Sequence, residues 1–426
     1  MKHLVVKNVG PVKNIDVELK RFNVIIGPQS SGKSTVAKIL STCEWIEKEV
    51  ATTRDENAIG DKENFKEMVE SFHKIEGYID STAQSYIFYE TDFVEIKYDE
   101  IGFVVKLKKK ANYSRQKICY IPSERNMVTL PELNGFEFKT TNLRSFLFDW
   151  YRAREFYNPE NKTEILDLGM NYYYDKDLKS QNDRVQHMNG ETYDISLSNS
   201  SSGLQSVTPL IVMLNYYTGQ YYKEYDFKNS FDQEVKWKKM RNALTHEVIL
   251  SLYKPDYKKE DSDGLLTEFY DKLHKNDAKA QKIFSEYEQV CGRLLIPTRT
   301  TFIVEEPEQN LYPFTQIVLL EEIVKRCSVA QEHGCTITTH SPFILNYLNV
   351  LIMRYYKHVI GKTAINPTDI SVYAMQDGRM NDLMQKNSST GLISVNAEDL
   401  IEAMREMYGE YVELKNMNYN IKNEYG

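Results

Sequence analysis

The chain has few of the residues that staple or punctuate small folds. Its 426 residues include five cysteines, 12 prolines, 19 glycines and three tryptophans. Cys43, Cys119, Cys291, Cys327 and Cys335 are odd in number, far apart and form no Cys-x-x-Cys pair. That excludes a disulfide framework and a cysteine-built zinc site, and reads as buried free thiols. No apolar run approaches the ~18 residues a membrane helix needs. The opening Met1-Lys2-His3-Leu4-Val5-Val6-Lys7 places charges where a signal peptide carries an apolar core, so a cytoplasmic location without a membrane partner is expected. An excess of positive charge is also missing. The net charge is −8, which excludes a generally basic nucleic-acid coat but not a local basic patch. What is present is core-forming: 41% of residues are hydrophobic, enough for two to three domains at ~150 residues each, or for one domain with large insertions.

Patterning separates the chain into segments. Leu4–Val6, the alternating Ile15–Leu19 and the continuous Phe22–Ile26 read as strands, the last buried on both faces. A helical pattern begins at Thr35 and runs to about Val50, and a polar helical excursion covers 51–85. Phe93–Lys106 and Ile118–Ile121 read as strands. The intervening Lys106, Lys108, Lys109, Lys110, Arg115 and Lys117 read as a basic hairpin tip. Residues 131–195 are an aromatic, acidic and weakly patterned insertion, and helix resumes after Gly203. Residues 217–296 are a charged insertion with helices over Gly264–His274 and Ala278–Cys291. Buried strands follow at Thr301–Val304 and Thr336–Thr339, with helices at Pro313–Cys327 and about Ala397–Lys415. The expected units are therefore 1–130, 131–195, 196–216, 217–296 and 297–426.

Gly27-Pro28-Gln29-Ser30-Ser31-Gly32-Lys33-Ser34, followed by Thr35, fits the phosphate-loop pattern G-x-x-x-x-G-K-[ST]. The two glycines let the backbone turn tightly enough to aim consecutive N–H groups at phosphate oxygens. The helix that starts there adds the positive end of its dipole. Lys33 supplies a charge for the β- and γ-phosphates and Ser34 a hydroxyl for Mg²⁺. Hydrolysis also needs a metal carboxylate and a group that positions water. Glu305 and Glu306 stand at the end of the apolar Phe302-Ile303-Val304, where paired carboxylates are costly unless a cation and a water claim them. Glu305 would face Mg²⁺ through water, and Glu306 would polarise the attacking water. His340 ends the next apolar strand in a His-Ser-Pro turn, where open parallel sheets place ligand contacts, and is the candidate γ-phosphate sensor.

Taken in order, these motifs resemble the ABC-class ATPases of the SMC, RecF and OLD group. Ser201-Ser202-Gly203-Leu204-Gln205 stands in the signature place, then Glu305-Glu306-Pro307-Glu308-Gln309-Asn310-Leu311, then Thr339-His340-Ser341-Pro342. The resemblance implies an α/β P-loop ABC-type head with α-helical insertions. It further implies ATP and Mg²⁺ as cofactors and two heads that would sandwich two nucleotides. Ser202, Gly203 and Gln205 would then meet the other head's nucleotide in trans. Three positions depart from the group: Glu305 replaces Asp, Leu204 replaces a glycine, and no Q-loop glutamine is identifiable. Tyr120-Ile121-Pro122-Ser123-Glu124-Arg125 stands roughly in its place. Either Arg125 or Glu124 lines the site, or they form an ordinary ion pair.

The 86 residues after His340 have to finish the sheet and supply the last helix, so no nuclease in the same chain is expected. The resemblance therefore implies an effector supplied in trans, a nuclease or a toxin, in nucleic-acid metabolism or phage defence. Nucleic acid is a candidate partner through the 106–117 tip and Lys236-Trp237-Lys238-Lys239-Met240-Arg241, although solvated charged faces explain both clusters too. The alternative to an ATPase is an ATP-dependent scaffold or sensor that assembles and releases its effector with negligible turnover.

Overall fold

The computed structural model describes residues 2–80, 82–108, 113–130, 141–188, 193–224, 238, 240–328 and 333–416. Among them an eleven-stranded sheet organises the chain. β1 (Lys2–Val9), β2 (Val12–Leu19), β4 (Tyr86–Glu90), β5 (Val94–Tyr98) and β6 (Phe103–Leu107) form an antiparallel half in the order β6-β5-β4-β1-β2. β3 (Phe22–Ile26), β7 (Gln116–Ile121), β12 (Arg299–Glu305), β13 (Gly334–Thr339) and β14 (Ile370–Gln376) form a parallel half in the order β14-β3-β13-β12-β7. β15 (Arg379–Asp382) pairs antiparallel with β14 and touches β2 at Arg379 and Asn14, which joins the halves.

Continuous apolar runs give the parallel strands because both faces of that half are covered. Phe22, Val24 and Ile26 face one core, while Ile25 faces the other. The second core holds α1 (Lys33–Thr53), which leaves the phosphate loop and buries Val36, Ala37, Ile39, Leu40 and Cys43. The first holds α4 (Ser202–Asn215) and the helices Pro313–Cys327 and Pro342–Tyr356. The latter two begin as their sequences dictate, each with Pro in its first turn. Ser341 also caps the second, its hydroxyl accepting from the Phe343 and Ile344 amides.

Several elements differ from the sequence expectation. Phe93–Lys106 is two strands, because the Asp99 carboxylate accepts from the Ile101 and Gly102 amides and turns the chain. β4 pairs with β1 and was not anticipated. The helix expected within 51–85 is α2 (Lys62–His73), capped by Asp61. Residues 142–196 hold α3 (Asn142–Arg154) and a small sheet of β8 (Thr163–Glu164), β9 (Met170–Tyr174), β10 (Asp183–His187) and β11 (Asp194–Ser196). Trp150, Tyr172 and Val185 from this segment share the core of α4. Helices Ser262–His274 and Ala278–Leu295 join Met240, Leu244 and Ile249 in a third cluster. All five cysteines are buried and free. Among the described residues no helix is long and apolar enough to cross a membrane.

Candidate functional site

The phosphate loop bridges β3 and α1. Gly32 caps the helix at φ 108°, a conformation that side chains rarely adopt. A Cβ on Gly27 would lie 2.2 Å from the Met375 carbonyl oxygen of β14, so only glycine lets the loop pass that strand. Pro28, Gln29 and Ser30 are exposed, Ser31 and Thr35 are buried, and the Ser31 hydroxyl is buried with no hydrogen-bond partner. The Lys33 ammonium turns back into the loop and donates to the carbonyls of Gly27 (3.0 Å) and Pro28 (2.8 Å). Burial lowers its pKa, opposed by the charges of Glu306, Glu308 and Glu305.

Parallel pairing brings the distant carboxylates to this loop. β13 ends beside β3, with Thr339 level with Ile26, and β12 ends beside β13, with Glu305 level with Thr338. His340 Nδ1 lies 3.4 Å from Lys33 Nζ, and its Nε2 lies 3.3 Å from Glu306 Oε1. An ammonium can only donate, so Nδ1 accepts and the ring proton sits on Nε2, facing Glu306. Glu306 adopts φ 45°, and its amide donates to the Thr338 carbonyl at 2.8 Å. Glu308 accepts from the His340 amide at 2.6 Å, fixing the start of the His-Ser-Pro turn. Glu305 is buried, and burial raises its pKa; hydrogen bonds from Tyr120 and Ser34 and the charge of Lys38 act in the other direction.

Arg125 answers the open choice made from sequence. It is fully buried and donates to the carbonyls of Glu305 (2.8 Å), Glu306 (2.7 Å) and Ser206 (2.9 Å). The guanidinium hangs the carboxylate turn and α4 from one side chain, and Glu124 is not its ion-pair partner in that role. Burial lowers the Arg125 pKa to about 10 despite Glu308, Glu306 and Glu305 nearby. Sequence reasoning missed the tie from Tyr120 to Glu305 and the tie from Glu308 to His340. Both rest on contacts between strand ends, and no local spacing announces them.

The signature residues stand elsewhere. Ser201 and Ser202 are exposed at the start of α4, where the Ser201 hydroxyl accepts from the Leu204 amide. Gly203 backs onto the Asn310 carbonyl, 3.0 Å from where its Cβ would be. Gln205 donates to the carbonyls of Ser198 and Ser200 rather than to the phosphate loop. Of the described lysines in the basic stretch, Lys106 pairs with Glu95, Lys108 with Glu90 and Lys117 with Asp149. Lys109, Lys110, Lys236, Trp237 and Lys239 lie outside the described residues.

A glycine-framed loop with a buried, unpartnered Ser31 hydroxyl, a lysine, a serine beside a buried carboxylate, and a Glu–His pair are the chemical parts that could hold a phosphate chain. The strand order and the loop define the class: an α/β P-loop fold on a mixed sheet, parallel around the loop and antiparallel beyond it. No protein-family model and no curated protein matches the chain. Solved structures similar to it include the SMC head domain from Thermotoga maritima, at 8% identity, TM-score 0.36, covering 89% of this chain and 97% of that one. An ATP-binding cassette of an ABC transporter in its ADP conformation has 10% identity and TM-score 0.32, covering 97% and 99%. The recombination mediator RecF has 10% identity and TM-score 0.30, covering 89% and 97%.

Proposed function

We propose that this protein binds ATP·Mg²⁺ and hydrolyses it, two copies closing head to head around two nucleotides to drive or gate an effector supplied in trans. The observation that carries the reading is the line Lys33–His340–Glu306, which joins three motifs across the whole chain within 3.4 Å per step. Gly27 to Thr35 would wrap the phosphates, with the Ser31 hydroxyl free to accept a new partner. Lys33 would exchange its loop carbonyls for β- and γ-phosphate oxygens. Glu306 would orient water, and His340, held by Glu308, would contact the γ-phosphate.

The residues fit a divalent cation of the Mg²⁺ type. Ser34 and Glu305 share a hydrogen bond, and such an ion needs only one or two protein oxygens beside phosphate and water. Bound there, the ion would neutralise charge developing on the phosphates. The start of α4, with Ser202 exposed, Gly203 half-buried and Gln205 bracing the preceding turn, supports action on the nucleotide of a second copy. The effector, whether nuclease or toxin, and a task in phage defence or DNA repair rest on the family resemblance, and DNA contact would show as salt-sensitive binding.

Calorimetry with ATP·Mg²⁺ and steady-state phosphate release test this reading. Saturable binding with turnover is expected, and no binding to the wild-type chain would overturn it. A second reading, a scaffold with negligible turnover, is favoured by the buried Glu305 in place of Asp. Tight binding without phosphate release would select it.

A further inference from the structure

Tyr120 and Glu305 sit on neighbouring parallel strands, 185 positions apart in the chain. In the β12–β7 register Tyr120 lies level with Ile303, two places short of Glu305. Its phenol nevertheless reaches the carboxylate and donates a hydrogen bond to Glu305 Oε1. Both side chains are buried, Tyr120 to 7% exposure and Glu305 to 4%. The Tyr120 ring packs against the His73 ring of α2, with centroids 5.6 Å apart. His73 Nε2 lies 3.0 Å from Thr42 Oγ1 on α1, the helix that carries the phosphate loop. Because the Thr42 hydroxyl donates to the Lys38 carbonyl, His73 is the donor in that contact. The phenol is thus braced by the same helix that positions Ser34, and Ser34 is the second side chain bonded to Glu305.

We infer that Tyr120 is a positioning residue for Glu305, orienting the longer carboxylate toward Ser34 and the divalent cation. This rests on the ATP·Mg²⁺ reading above. The length of the side chain follows from the arrangement. An aspartate at 305 would withdraw its carboxylate by one carbon–carbon bond, about 1.5 Å, too short to meet the phenol and the serine together. Glu305 and Tyr120 are therefore a matched pair, and neither residue does its work without the other.

The test is the Mg²⁺ requirement for binding a fluorescent ATP analogue to the full chain, titrated from EDTA upward, for wild type, Tyr120→Phe, Glu305→Asp and the double variant. Loss of an outer hydrogen-bond partner lowers metal affinity by about 10-fold or more. Tyr120→Phe is expected to raise the half-saturating Mg²⁺ concentration by that factor and to leave affinity in EDTA unchanged. Glu305→Asp is expected to match it, and the double variant to be no worse than either, since both remove one interaction. A wild-type Mg²⁺ requirement in Tyr120→Phe, or single effects that multiply in the double variant, would overturn the inference while leaving nucleotide binding intact. A wild-type chain that binds no nucleotide would instead sink the reading beneath it. Should Tyr120→Phe fail to fold, Glu305→Asp alone decides: an unchanged Mg²⁺ requirement there also overturns the pairing.

Discussion

Lys33 and His340 are 307 positions apart in the chain, yet the ammonium of one lies 3.4 Å from the imidazole of the other. The ammonium otherwise rests on two carbonyls of its own loop, which it would exchange for phosphate oxygens in the proposed ATP complex. Lys33→Ala is expected to weaken ATP binding by about 2 kcal/mol, roughly 30-fold, the scale of a charged hydrogen bond. Calorimetry checks it; an unchanged affinity would remove the phosphate loop from the site.

Glu306 pairs with His340 rather than with Lys33, and in the proposed mechanism it orients water rather than holding the nucleotide. Glu306→Gln should therefore lower phosphate release by about 100-fold while ATP stays bound. The ATP-loaded variant should scatter light as a dimer. A monomer at saturating ATP would contradict the head-to-head arrangement.

Arg125 serves folding and site together. Replacing it with Met strands the carbonyls of Glu305, Glu306 and Ser206 in a buried place. Unfolding by urea should show a loss of about 3 kcal/mol or more, as buried acceptors go unpaired. A change below 1 kcal/mol would mean that water replaces the guanidinium at about one net hydrogen bond's cost.

His73 predicts acid sensitivity. Burial, with Lys38 adding to it, lowers its pKa from 6.5 to about 3. The unfolded chain therefore binds the proton first. This residue's contribution is fully present above pH 6.5 and is lost progressively as pH falls toward 3. At pH 5.5 the loss is about 1 kcal/mol. Buried carboxyls such as Glu47, whose pKa is raised chiefly by burial, act with the opposite sign. The measurement is therefore the difference in pH dependence between wild type and His73→Gln. Parallel curves would refute the assignment.

The eight residues from Gly27 to Ser34 state their own geometry, because a tight loop between a buried strand and a helix needs glycine and small polar residues at set places. The parallel strands Phe22–Ile26, Arg299–Glu305 and Gly334–Thr339 were legible for a similar local reason, since burial on both faces leaves an unbroken apolar run. The antiparallel strands around Asp99 were harder, because half-buried segments share patterns with loops. Nothing along the chain could announce that Tyr120 meets Glu305 or that Arg125 carries the carbonyls of Glu305 and Glu306. Those meetings follow from which strands lie side by side and in what register, and that is settled by packing the sheet between its two cores. Residue order therefore supplied the chemical parts, and the sheet's registration chose which of them touch.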